Sequence, residues 1–176
     1  MKTLGKIIVG ILVCLVLVLL VLRITGFEPR GCPNIYVSWT CRLPGLWLKG
    51  DLVTTPVTDW SFTDKIPTVK LQTHTWYLLP HSVTIGCVYY NGHLYLSSIY
   101  MRPGVKYRWN EDVIRDPRVR LKIGNQLYDR TLSYVTDPAE KAAVFQAKFK
   151  KYSAIEPLFH NVSPDTTSNV FRVPDN

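Results

Sequence analysis

The residue types best suited to redox or metal chemistry are four cysteines and four histidines. Cys32 and Cys41 lie nine positions apart in a segment with proline and glycine, just after a long apolar run. Two cysteines that close a short loop there favour a disulfide, which persists in an oxidising compartment. Two free buried thiols are the alternative for this pair. Cys87 stands in an apolar run and is expected to be a small core residue.

Other catalytic chemistry finds little support in the sequence. The histidines share no spacing with Glu or Cys that would form a metal site, so no metal is expected. The serines lie in no nucleophile-elbow context. The net charge of +8 falls to +5 when Lys2, Lys6 and Arg23 are set aside. These cations are scattered and no nucleic-acid motif is present, so the excess better suits anionic lipid or a phosphate-bearing ligand.

An apolar N-terminal run indicates a membrane anchor. Residues 7–22 carry no charge and no proline, and Lys6 and Arg23 bracket them. Sixteen helical residues span roughly 24 Å, and the two flanking cations can extend outward to match a hydrocarbon core of about 30 Å. A cleaved signal peptide is the alternative, but the run leads into Arg23 and Ile24 without a small-residue cleavage site. We therefore expect a single-pass membrane protein that contacts membrane lipid.

The orientation follows from weaker signals. Lys2 and Lys6 precede the run whereas Arg23 and Arg30 follow it, which leans only slightly toward a cytoplasmic N-terminus. The predicted disulfide adds to this, so the domain is expected to be periplasmic or extracellular. The organisation predicted is an anchor over 1–26, an irregular juxtamembrane segment over 27–66 and a domain over 67–176. The aromatic residues of the middle segment either pack onto the domain, contact lipid or stack on a ligand; packing or lipid contact is favoured (Trp39, Trp47, Trp60 and Phe62).

Two hairpins dominate the rest of the chain. The first joins β-branched and aromatic runs, 82–90 and 93–100, through Asn91-Gly92, a pair that tolerates positive φ. The second joins 118–123 to 126–135 through Gly124-Asn125. Strict alternation in its first strand puts three cations on one face, where solvent is the default expectation (Arg118, Arg120 and Lys122). A last edge strand is predicted over 170–173.

Two helices are predicted beside these hairpins. A short one spans 109–116 with Asn110 as its cap and ends before Pro117. A longer one, 137–152, has Asp137 as its cap and proline at the first position. Three lysines suit the C-terminal end of its dipole (Lys148, Lys150 and Lys151).

The order of these motifs resembles a known superfamily. A strand ending in Ser97-Ser98, a basic segment over 106–110, Asp116-Pro117-Arg118-Val119 and a helix opening Thr-Asp-Pro-Ala-Glu follow one another. Residues of about 82–151 are therefore similar to the split-barrel flavin-binding superfamily, which is pyridoxamine-phosphate-oxidase-like, and to its deazaflavin-dependent nitroreductase-like branch. The resemblance implies a mainly β fold with helices, a split β-barrel-like domain; the transmembrane helix expected from the apolar run precedes this domain.

The resemblance also implies a binding site and a function. Its cofactor, FMN or a deazaflavin, would have its phosphate held by hydroxyls and cations near a helix N-terminus, which is chemically an anion site. Trp76, Tyr100 or Trp109 would line the ring pocket, and a homodimer is expected by analogy. The function implied is a flavin- or deazaflavin-binding, oxidoreductase-like protein; a membrane-tethered interaction or structural module without enzyme activity is the alternative. The phosphate-binding residues carried over by position are Ser97, Ser98, Lys106, Arg108 and Asn110.

Overall fold

The computed structural model of the chain describes residues 2–30, 43–99, 107–152 and 168–175. Its first element is helix α1, Lys2–Thr25. Within it, Thr3–Thr25 is long and apolar enough, by length and composition, to cross a membrane. This stretch is not buried in the rest of the structure, and it adds nothing to the two hydrophobic cores that the described residues form. The helix is therefore separate from the packing of the domain.

The described part of the chain forms a single sheet of eight strands. The strands follow one another in the order β1-β6-β5-β2-β3-β4-β8-β7, and all neighbours are antiparallel except β1 and β6. Antiparallel pairing suits a chain whose strands are joined by tight turns. The strands are β1 Asp51–Leu52, β2 Thr68–Thr73, β3 His81–Tyr90, β4 His93–Ile99, β5 Arg118–Ile123, β6 Gln126–Thr131, β7 Ser133–Tyr134 and β8 Ser168–Val173.

A break at Leu132 curls this sheet into a half barrel. β6 lies near one edge of the sheet and β7 forms the other edge, yet only Leu132 separates them along the chain. The Leu132 N–H donates to the Pro117 carbonyl at 2.9 Å. The sequence-based prediction of one continuous strand over 126–135 is wrong at this point, because the chain turns from one end of the sheet to the other.

The strand β8 also differs from its prediction. It pairs along six residues with β4 and on its other side with β7, so it is an internal strand rather than an edge strand. Its burial agrees, since Val170, Phe171 and Val173 are all buried. β8 is six residues long and comes late in the chain, which fits an edge strand, but neighbouring strands pair with it on both sides.

Both predicted hairpins are confirmed. Asn91 and Gly92 join β3 to β4 with φ values of +48° and +85°, the conformation that this pair tolerates. β5 and β6 pair along their whole length across Gly124, which has a φ of +61°. Local turn chemistry therefore determines both strand pairings.

Two cores form on opposite sides of β3 and β4. The larger core contains Trp60, Leu71, Leu96, Trp109 and other buried residues. The smaller core contains Val88, Tyr95, Val144 and Phe145. Side chains alternate along β4, so Leu96 contributes to the first core and Tyr95 to the second. Trp60 is fully buried against Tyr128, which confirms that this aromatic residue packs onto the domain, whereas Trp39 lies outside the described residues.

Helices α2, Arg108–Arg115, and α3, Pro138–Lys151, each cover one of these cores. The predicted cap of α3 is confirmed, because the Asp137 carboxylate accepts from the N–H groups of Ala139 and Glu140 at 3.1 and 3.2 Å. The predicted cap of α2 is wrong. Tyr107 occupies that position, and Asn110 lies in the first turn, where its side chain is buried instead of capping the helix.

The three cations of β5 form ion pairs, and the expected solvation holds for Arg118, whose side chain is 71% exposed, but not for Lys122, at 13%. The Arg118 guanidinium contacts Asp116 at 2.8 Å, and Arg120 contacts Asp129 at 2.6 Å. Lys122 bonds to Glu28, which Lys70 of β2 also contacts. Burial would raise the pKa of Glu28, but the two lysines outweigh it and hold that pKa below its usual value. Glu28 therefore ties the segment that follows α1 to the sheet.

Candidate functional site

A buried lysine of α3 contacts the end of β4. Ser97 is buried on β4, and its carbonyl and hydroxyl oxygens accept hydrogen bonds from Lys148 Nζ at 2.9 and 2.8 Å. Lys148 lies on α3, and its burial lowers its pKa to about 8. Among the described residues, no carboxylate lies within ion-pair distance of this ammonium group. A buried cation without a counter-ion is costly, and such groups are concentrated at functional sites.

The neighbouring thiol is not an activated nucleophile. Cys87 is buried, as predicted, and its Sγ lies 4.0 Å from Lys151 Nζ. Burial raises the pKa of the Cys87 thiol despite the nearby lysines, so the protonated form prevails at neutral pH. The Cys87 N–H donates to the Tyr152 hydroxyl at 3.1 Å, and the phenol ring lies over Gly86. The contact between β3 and the end of α3 is therefore closely packed, and its buried cysteine is unreactive.

A second group of residues surrounds the start of α2. The Arg108 guanidinium carbon lies 4.7 Å from the centroid of the Tyr77 ring, a cation–π distance. Its Nε is 3.9 Å from the Asp112 carboxylate, which is an ion pair beyond hydrogen-bond range. Within the described ranges, Arg108 makes no hydrogen bond, and its side chain is 49% exposed. The planar fork of Arg108 is thus presented to solvent, where it can bind an anion in bidentate fashion.

Asp112 connects this helix to the ends of β2 and β3. Its buried carboxylate accepts from Thr73 Oγ1 at 3.2 Å and from Arg115 at 3.1 Å. His81 Nδ1 lies 3.7 Å away and has no hydrogen-bond partner among the described residues. Burial lowers the pKa of His81, and the nearby Asp112 carboxylate offsets this only in part. The pKa therefore stays below its usual value, and the imidazole is neutral at pH 7. The network holds α2 against the barrel through the middle of the helix.

Sequence reasoning did not identify Asp112 and His81. One signal was present, because Asp112 follows Arg108 by four residues and precedes Arg115 by three, the spacings that pair charges on a helix. No comparable local signal marks His81, whose environment depends on the packing of α2 across the strand.

The structure separates some of the predicted site residues. Arg108 and Asn110 share the first turns of α2, which packs on the larger core through Trp109. Ser97 points to the opposite side of β4 from Leu96 and contacts α3 instead. Trp109 is buried in the core, and Trp76 is exposed. Several predicted residues lie outside the residues or side chains that the structure describes: Cys32, Cys41, Ser98, Tyr100 and Lys106.

A polar cleft of about 600 Å³ lies elsewhere, on the face formed by β2, β5 and β6. Arg118, Arg120 and Asp129 line it and already form ion pairs there or with Asp116. Its charges are largely satisfied internally. Among the described residues, no group of three or more His, Cys, Asp or Glu residues is arranged to hold a metal ion.

Comparisons with known proteins identify the fold. No protein-family model matches the chain, and no curated protein matches it. Among solved structures, a conserved hypothetical protein from Mycobacterium tuberculosis is 15% identical with a TM-score of 0.52, and the match covers 72% of this chain and 86% of that one. A protein described as a domain-swapped dimer is 19% identical with a TM-score of 0.51, over 62% of this chain and 81% of that one.

The chain has the split-barrel fold. An F420-H2-dependent reductase is also similar, with 18% identity, a TM-score of 0.49 and coverage of 62% of this chain and 95% of that one. At these identities the likeness concerns the fold, and the resemblance predicted from the sequence is confirmed at that level. The split barrel by itself does not assign an activity.

Proposed function

We propose that the chain is a single-pass membrane protein whose split-barrel domain binds a phosphate-bearing flavin or deazaflavin at the start of α2. The anchoring part of the proposal is supported by the length of α1. Twenty-three residues, Thr3–Thr25, extend about 34 Å as a helix, which suffices for a hydrocarbon core of about 30 Å. The domain would lie outside the cytoplasm, in the periplasm or the extracellular space.

The observation that carries the cofactor proposal is the state of Arg108. Its guanidinium is half-exposed, is stacked on Tyr77 and makes no hydrogen bond to the described residues. A phosphate would supply the acceptors that this fork lacks. Lys106 lies two positions earlier in the sequence and would add a second cation. A bound reduced flavin or deazaflavin would supply a hydride. This chain would bind the phosphate of the cofactor and orient the cofactor.

The other predicted residues fit a phosphate less well. The Ser97 hydroxyl already accepts from Lys148, which leaves it one hydrogen to donate. Asn110 is fully buried in the first turn of α2 and suits a role in holding that helix. We therefore propose Arg108 and Lys106 as the principal phosphate ligands, because Ser97 contacts α3 on the other side of β4.

Ligand titration tests this proposal. The purified full-length chain in detergent is titrated with FMN and with a deazaflavin, and binding is followed by absorbance and fluorescence. We expect Arg108→Ala and Lys106→Ala each to raise Kd about tenfold, or about 1.4 kcal/mol. Arg120→Ala is the matched control, because that guanidinium is already paired with Asp129. Binding that both Arg108→Ala and Lys106→Ala leave unchanged would contradict the proposal.

One set of contacts favours the alternative, a membrane-tethered interaction or structural module. Asp112 offsets the charges of Arg108 and Arg115, and Lys148 engages Ser97. A domain whose cations are offset in this way needs no bound anion for stability. A folded, full-length preparation that binds neither FMN nor the deazaflavin would support this alternative. A homodimer is proposed in either case, in line with the similar protein described as a domain-swapped dimer.

A further inference from the structure

The loop between β2 and β3, residues 74–80, exposes two large apolar side chains. Leu78 is 93% exposed and Trp76 is 75% exposed, although both belong to residue types that usually pack against protein. They stand two positions apart at the tip of one short loop. Adjacent exposed apolar groups at a loop tip mark a surface that contacts another apolar phase.

The backbone holds this tip in a fixed conformation. Leu78 has a φ of +67°, a left-handed conformation that aliphatic residues rarely adopt. The base of the loop is secured on both sides, since Thr75 Oγ1 donates to the Leu79 carbonyl and Arg115 of α2 donates to the His74 carbonyl. A strained residue persists only where its surroundings hold it, and a left-handed backbone at a leucine whose side chain is 93% exposed points to a use for that side chain.

The loop lies close to the chain that leaves α1. The Phe27 N–H donates to the Trp47 carbonyl, and the Leu46 N–H donates to the Phe27 carbonyl. Next to Leu46, Gly45 exchanges two backbone hydrogen bonds with Ser82, which follows the loop in β3. The segment 45–47 therefore lies between Phe27 and Ser82. Two interstrand spacings, roughly 10 Å in total, separate the exit of α1 from the base of the loop. Phe27 is itself half-exposed.

Arginines outnumber carboxylates near the base of the loop. Arg108 stacks on Tyr77, Arg115 reaches His74, and His74 Nδ1 lies 2.9 Å from the Arg118 carbonyl. All three arginine side chains are exposed, with Asp112 and Asp116 as their carboxylate neighbours. An apolar tip with three arginines and two carboxylates near its base has a net positive surrounding, which complements a bilayer surface that carries anionic headgroups, and tryptophan favours the membrane–water interface.

We propose that Trp76 and Leu78 insert into the interface of the anionic leaflet from which α1 emerges and hold the split barrel against that surface. This inference rests on the proposed anchoring by α1. The protein would then contact the membrane at two places, the helix α1 and the loop. The contact also brings Arg108, which lies over Tyr77, to the lipid surface.

Fluorescence quenching by brominated lipid tests the insertion. The full-length chain is reconstituted in vesicles of phosphatidylcholine and phosphatidylglycerol with bromines near the headgroup end of the acyl chains. We expect these lipids to quench the emission. The difference in quenching between the wild type and Trp76→Phe isolates the contribution of Trp76 from that of the other four tryptophans, and we expect this difference to be large. Leu78→Asn should reduce the quenching of Trp76 while keeping the protein folded, because asparagine tolerates a positive φ. Ile114→Ser, which changes an exposed aliphatic residue of α2, is the matched control.

The outcomes separate this inference from the anchoring proposal. Failure of the full-length chain to float with vesicles after alkaline carbonate treatment overturns the anchoring. If the chain floats but brominated lipid does not quench the emission of Trp76, the loop insertion alone is overturned. Trp76 emission that instead changes with the density of protein in the vesicles assigns the loop to a contact with a second copy, which also overturns the inference. Quenching that grows with the phosphatidylglycerol content supports it.

Discussion

Lys148 occupies a position in the split barrel that is unfavourable for a cation, because its side chain is buried. Its ammonium group is buried and donates to two oxygens of Ser97, and no carboxylate in the part of the chain that the structure describes forms an ion pair with it. From the sequence it appeared as one of three lysines suited to the C-terminal end of α3. Its burial depends on which side of α3 meets β4, a contact between residues 51 positions apart, so local pattern could not have revealed it.

A pH dependence follows from this burial. Because the pKa of Lys148 falls from its ordinary value of 10.5 to about 8 in the folded protein, the unfolded chain binds one more proton between these values. The free energy of unfolding contributed by this group therefore rises as pH increases from 8 to 10.5, by roughly 3 kcal/mol in total. Urea unfolding of the wild type and of Lys148→Met should show this rise in their difference. Lys150→Met, an exposed lysine on the same helix, is the control.

At the scale of elements, prediction succeeded where the signal was local. Asn91-Gly92 and Gly124-Asn125 encode their turns in two residues each, and the Asp137-Pro138 start of α3 is equally local. It failed where partners are distant. The internal position of β8 and the break at Leu132 depend on closure of the sheet, which brings together segments far apart in sequence.

The segment after α1 offers a test at this scale. Gly45 lies so close to its neighbours that an added Cβ would be 2.4 Å from the Phe27 carbonyl oxygen and 2.5 Å from Ser82 Oγ. Gly45→Ala should therefore displace the 26–29 segment from β3 and destabilise the domain by about 1–3 kcal/mol. Gly92→Ala probes a different cost, because a Cβ there meets open space and the substitution suffers only from the positive φ. Equal stability of Gly45→Ala and wild type in urea unfolding would show that this close approach is absent in solution.

At the scale of the whole molecule, the compartment remains a prediction that Cys32 and Cys41 can test. Both lie outside the described residues, so their pairing rests on the sequence alone. We expect mass spectrometry without reductant to find these two cysteines linked, because the domain is predicted to lie outside the cytoplasm. Cys87 is buried and should remain a thiol, which provides an internal control. Alkylation of Cys32 and Cys41 without reductant would instead indicate a reducing compartment.

The division between anchor and domain leads to the last prediction. Because α1 contributes no residue to either core of the described chain, a variant lacking residues 1–26 should fold and remain in the soluble fraction, while the full-length chain resists carbonate extraction. This variant keeps Glu28, the partner of Lys70 and Lys122. Adding Glu28→Ala to it should lower the free energy of unfolding, because Lys122 is mostly buried and would lose its carboxylate. The loss should disappear as pH falls through the lowered pKa of Glu28, since that carboxylate stabilises the fold only while ionised. A truncated protein that aggregates or melts without cooperativity would instead make α1 part of the folding unit.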